Sequence, residues 1–60
     1  MEEIFVIEKM IVIGIWELFS DRFYTDKKKA LDDCLDIMKI MQEKDKTFAA
    51  RVTTLKINKQ

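Results

Sequence analysis

The sequence contains no histidine, no proline, one glycine (Gly14) and one cysteine (Cys34). Without histidine, the usual general base of a nucleophilic triad and the commonest transition-metal ligand are both missing. A single thiol closes no intramolecular disulfide and builds no cysteine-rich zinc site. Neither staple of very small domains is therefore available, and a reducing, cytoplasmic setting is expected. Charge of one sign is missing too: 11 Lys and Arg balance 11 Asp and Glu, which removes the positive surplus that draws proteins to polyanions without specificity. Long apolar runs are also lacking. The segment 4–19 is rich in apolar residues, but Glu8, Lys9 and Glu17 interrupt it. Its uncharged piece, Met10 to Trp16, falls far below the roughly 20 residues of a membrane-spanning helix. Glu2 and Glu3 stand where a secretory signal needs positive charge, so neither export nor membrane insertion is expected.

What is present reads as one small domain, residues 1–60. At 48% hydrophobic and 37% charged residues the composition is that of a globular chain, since disordered segments combine low hydrophobicity with high net charge. The first third is dense in β-branched and aromatic residues, from Ile4 to Ile7 and from Ile11 to Phe19, a composition that favours strands. Two strands fit better than one overlong strand. Glu8, Lys9 and Met10 supply a polar break while Gly14 supplies freedom to adopt positive φ, and the turn is placed near residues 9–12, with Phe23 and Tyr24 either extending the second strand or leading into a helix. Thr25 is the expected N-cap, followed by Asp26 as a first-turn acid. The helix is then expected to run from about Asp26 to Lys44. Ala30, Leu31, Cys34, Leu35, Met38 and Met41 recur at spacings of three and four, which marks one face for a core. Lys28 with Asp32 and Lys29 with Asp33 form i, i+4 pairs on the other side. From Phe48 a Val- and Thr-rich strand reaches about Asn58. The expected fold is α+β: a three-stranded antiparallel sheet with one helix packed on one face, in the order ββαβ.

The strands carry an irregularity with functional meaning. Phe48, Ala50 and Val52 alternate in one phase and Leu55 and Ile57 in the other. A bulge at Thr53 and Thr54 would bring both sets to one face, and an unbulged strand would separate them. The first two strands also place apolar residues in both phases, whereas one helix covers only one face of a sheet. A partner surface, most simply a homodimer, is therefore expected on the second face, with Phe5, Ile13, Ile15, Trp16 and Phe19 as its partner-binding residues. Ordinary core packing is the plain alternative for each of these side chains.

Other constellations carry less. Lys27, Lys28 and Lys29, with Arg22 and with Tyr24 or Phe23 as stacking rings, make an alternative nucleic-acid patch, although Asp26, Asp32 and Asp33 beside them suit a solvated face equally well. Asp32, Asp33 and Asp36 gather carboxylates on one side of the helix without the glycine-containing loop of a calcium site. Cys34 falls within the apolar stripe and reads as a buried structural thiol. No catalytic residue, metal ligand or cofactor site is assigned.

The run Phe23, Tyr24, Thr25, Lys27, Lys28, Lys29 and Ala30, followed by a closing segment from Ala50 to Ile57, resembles the small ββαβ accessory proteins of phages and mobile elements. The resemblance covers nearly the whole chain and carries no catalytic motif. It implies a non-enzymatic, cytoplasmic protein of the host-takeover or anti-defence type, which binds and inhibits a host protein such as an antiviral defence component.

Overall fold

The computed structural model describes residues 2–57. Its order is β1 (Glu2–Val12), β2 (Ile15–Leu18), α1 (Lys27–Gln42) and β3 (Ala50–Ile57), so the ββαβ expectation holds. All pairings are antiparallel and β1 is central, in the order β2-β1-β3.

The first hairpin turns later than residues 9–12. β1 continues to Val12, and Ile13 and Gly14 form the connection between the paired residues Val12 and Ile15. Gly14 has φ 86° and no other described residue has a positive φ, so the backbone reverses at the one position where a missing Cβ removes the steric cost. The favoured I′ hairpin turn needs positive φ at both central residues, and Ile13 does not supply it. The ladder accommodates this by a register shift between Met10 and Val12, an irregularity that locally increases twist. The polar break at Glu8 and Lys9 is not a turn at all. Both residues are paired on either side, Glu8 with Leu18 and Arg51, Lys9 with Glu17 and Ala50. Being central to the sheet outweighs their polarity.

β2 is shorter than expected, because Phe19 closes the pairing by donating its N–H to the Ile7 carbonyl and the chain then leaves the edge. It returns at Tyr24, which exchanges two backbone hydrogen bonds with Phe5 at 2.8 and 2.9 Å. Asp26, rather than Thr25, is the N-cap of α1: its backbone is extended and its carboxylate accepts from the Lys28 N–H at 3.0 Å. The helix ends at Gln42, short of Lys44. Asp45 keeps the chain from resuming the helix, accepting both the N–H and the hydroxyl of Thr47, a local competition with helical bonding typical of Asp. β3 starts at Ala50 rather than Phe48. The expected extension of this strand to Asn58 lies outside the described residues.

No bulge occurs at Thr53 and Thr54; β3 pairs with β1 in unbroken register from Glu2–Ile57 to Lys9–Ala50. Leu55 and Ile57 therefore face away from Ala50 and Val52. Under the helix, Ile7, Tyr24, Ala30 and Cys34 form the buried cluster, with Phe5, Phe19, Ile37, Met38, Ala50 and Val52 packed around it. Phe19 and Phe48 meet edge to face, their ring centroids 6.1 Å apart. Each fully buried aliphatic side chain stabilises by about 1.5–3 kcal/mol, and so small a cluster leaves a domain of this size near the limit of independent stability.

Candidate functional site

The face of the sheet opposite α1 is where the unbulged register has its consequence. Direct pairing puts Glu8 beside Leu18 and Arg51, Val6 beside Thr53, Ile4 beside Leu55, and Met10 beside Trp16. Residues opposite each other in an antiparallel pair share a face. No element of the described chain covers this one, since α1 packs on the other side of β1 and β3. Val6, although on the open face, is only 1% exposed, so its immediate surroundings are already closed by its neighbours. Leu18, Leu55 and Ile57 remain exposed and Ile4, Met10 and Trp16 half-buried.

Across this apolar surface runs a polar bar. Glu8 Oε1 accepts from Arg51 Nε at 2.9 Å and from the Thr53 hydroxyl at 2.5 Å. Held there, the Arg51 guanidinium lies 4.1 Å from the centre of the Trp16 ring. Arg51 is on one outer strand and Trp16 on the other, so the contact bridges the sheet over its central strand. The Thr53 hydrogen bond, aided by the Arg51 charge and opposed by partial burial, holds the Glu8 carboxyl below its ordinary value. Chemically this arrangement offers an aromatic ring and a guanidinium oriented by Glu8 on an open face. Tryptophan and arginine dominate the energetics of protein interfaces when they occupy such positions, and orientation in advance reduces the entropy lost on binding.

The five residues expected to bind a partner do not share a surface. Phe5 and Phe19 belong under α1, against the buried cluster, because the odd-numbered positions of β1 and the end of β2 face the helix. Trp16 alone lies in the bar. Ile13 sits at the hairpin tip, 93% exposed, with Ile15 beside it. Arg51, Glu8 and Thr53 were not singled out from the sequence. Only the strand register could have found them, since Glu8 and Arg51 are distant in the chain.

The alternative basic patch is likewise rearranged. Tyr24 is buried and its hydroxyl donates to Asp33 Oδ2 at 2.7 Å; burial, then that hydrogen bond, pushes the phenol above its ordinary value. Its ring cannot stack on a base. Arg22 also faces Asp33, at 3.8 Å, so Asp33 serves the loop rather than the expected pair with Lys29. Lys27, Lys28 and Lys29 are exposed on the first turn of α1, and Phe23 is the exposed ring near them, lining a shallow recess with Lys29 and Arg22. A second, open groove of about 510 Å³ lies between this loop and α1, lined by Phe19, Arg22, Tyr24, Asp33, Ile37 and Ile40 among others. Three carboxylates, Asp21, Asp33 and Asp36, and one guanidinium, Arg22, line it, and Arg22 faces Asp33. Among the described residues no three His, Cys, Asp or Glu side chains gather into a metal-binding group, and no helix is long and apolar enough to cross a membrane. Cys34 is buried, and burial pushes its thiol up, away from the reactive thiolate.

No protein-family model matches the chain, and neither a curated protein nor a solved structure matches it.

Proposed function

We propose that this chain is a non-enzymatic protein-binding module that acts by occupying a surface of another protein. The observation that carries the reading is the helix-free sheet face, on which Trp16 and Arg51 are stacked and held by Glu8 amid Ile4, Met10, Leu18, Leu55 and Ile57. An anchor of this composition suits a protein partner: the ring and its apolar surround bury area, while the guanidinium offers directed hydrogen bonds to carbonyl or carboxylate groups at the rim. The resemblance to phage accessory proteins supports a host protein, such as an antiviral defence component, as the class of target, a cytoplasmic setting, and inhibition by steric occupation as the mechanism.

The test compares the wild-type chain with Trp16→Ala and Arg51→Ala as immobilised bait in bacterial lysate, followed by reconstitution with the purified retained protein. The expected outcome is one protein bound directly by the wild type and bound at least tenfold more weakly by both variants, whose circular dichroism remains that of the folded chain. Equal retention by wild type and variants overturns the assignment of this face. Retention of nucleic acid instead, lost when Lys27, Lys28 and Lys29 are replaced together by Gln and weakened steeply by salt, overturns the protein-binding reading in favour of the basic patch.

A further inference from the structure

A folded monomer of this mass exposes about 4100 Å² by the usual scaling with molecular weight, whereas this chain exposes 4904 Å². The surplus, roughly 800 Å², equals one partner's share of a standard protein interface. The radius of gyration agrees: 12.4 Å against about 10 Å for a compact chain of this length.

Part of the surplus lies at the hairpin tip, where Ile13 is 93% exposed, and the backbone shows one further edge open to a partner. Phe5 exchanges both of its backbone hydrogen bonds with Tyr24 on the far side of β1, so its partner across the ladder, Thr54, belongs to a pair without mutual hydrogen bonds. The N–H and C=O of Thr54, and by alternation those of Val52 and Lys56, therefore point outward from β3, which is an outermost strand. Helical periodicity places an exposed flank of α1 on the same side. Gln42 marks the side of the helix that meets the segment leading into β3, donating from Nε2 to the Phe48 carbonyl at 3.0 Å, while Ile37 and Ile40 line the groove on the opposite, Tyr24 side. Leu31 lies on the Gln42 side about three turns earlier, and Leu35 one turn after Leu31; they are 44% and 54% exposed. Apolar side chains on a helix flank beside an open strand edge are a surface that a symmetry mate completes twice over.

We infer that two copies of this chain pair antiparallel along β3, joining their sheets into one six-stranded sheet while Leu31 and Leu35 of the two α1 helices pack across the two-fold axis. Such an interface is isologous and closes at two subunits. With the axis at Thr54, Val52 stands opposite Lys56 and Arg51 opposite Ile57, so no like charges are directly opposed. The Trp16 ring, on β2, stays clear of the seam on both protomers, while Arg51, Leu55 and Ile57 of β3 border it; the inference goes beyond the proposed function and does not rest on it.

The experiment is light scattering of the full chain across a dilution series, with circular dichroism as the check on folding. Wild type is expected at twice 7.2 kDa. Thr54→Pro removes an outward donor, a substitution that edge strands accommodate, and Leu31→Glu with Leu35→Glu charges the helix flank without touching the buried cluster; each is expected to give a folded monomer. Should Thr54→Pro fail to fold, the flank variant alone decides. Ile13→Glu and Trp16→Ala are expected to remain dimeric. A wild type that is monomeric at about 100 μM, a dimer that survives the flank variant, or a dimer dissolved by Ile13→Glu or Trp16→Ala overturns the inference. Whether the Trp16 face binds a target is read separately from Trp16→Ala, which is expected to leave the dimer intact.

Discussion

Glu8 accepts hydrogen bonds from two side chains of the neighbouring strand on a single carboxylate oxygen. In the chain it looks like the polar interruption that ends a strand, but in the sheet its carboxylate orders Arg51 and Thr53 and so fixes the Trp16 contact. Its carboxyl is held below the ordinary value of 4.5, chiefly by the Thr53 hydroxyl. A group whose folded-state value is depressed stabilises fully above its ordinary value, and that contribution disappears as the pH falls through the folded one. Thermal unfolding followed from about pH 7 down to pH 3 is therefore expected to show a steeper acid loss for wild type than for Glu8→Gln, with the two curves converging below pH 4.5. Parallel curves would mean that the hydrogen bonds to Glu8 do not persist in solution. Tyr24 makes the converse point. An aromatic before a helix reads as an exposed stacking ring, yet its backbone pairs with Phe5 and pulls the ring under α1. Nothing within its own stretch of sequence distinguishes it from Phe23, which stays outside.

Among the elements, α1 was the most legible, because period and capping chemistry are both local; of its expected core-facing stripe Ala30 and Cys34 are buried, whereas Leu31 and Leu35, at its margin, stay 44% and 54% exposed. Even so, the cap moved by one residue to Asp26, whose carboxylate reaches the Lys28 N–H. The hairpin was less legible, since its polar residues and its glycine point to different turns. Position decides between them. Glu8 and Lys9 are flanked by strands on both sides, so the reversal falls to Gly14 at φ 86°. A Cβ at Gly14 would meet nothing within 4 Å, so Gly14→Ala isolates the backbone cost alone. Equilibrium denaturation is expected to show a loss of about 1–2 kcal/mol, the penalty of an L-residue in the left-handed region. A loss below a few tenths would place the turn elsewhere.

For the molecule as a whole, the exposed apolar side chains of the strands divide between the sheet face that carries Trp16 and the hairpin tip from Ile11 to Ile15, while Leu31 and Leu35 add a third exposed group on α1. A core of a few buried side chains leaves a single chain marginal in stability. If the protomers associate, binding raises the apparent stability by mass action. The melting temperature of wild type is then expected to rise by several degrees over a hundredfold increase in concentration, while that of the Leu31→Glu, Leu35→Glu variant stays constant. A wild-type melting temperature independent of concentration would contradict association at the concentrations tested.

The sequence by itself determined the element order, the helix with Ala30 and Cys34 on its buried side, and the presence of more apolar strand surface than one helix covers. These come from periodicity, composition and length, which act between near neighbours. Tertiary structure alone decided which face each strand residue took, and with it the meeting of Glu8, Arg51, Thr53 and Trp16. A shift of one residue in register would send every side chain of a strand to the other face. That register is set by pairing between segments some forty residues apart, where no local pattern reaches.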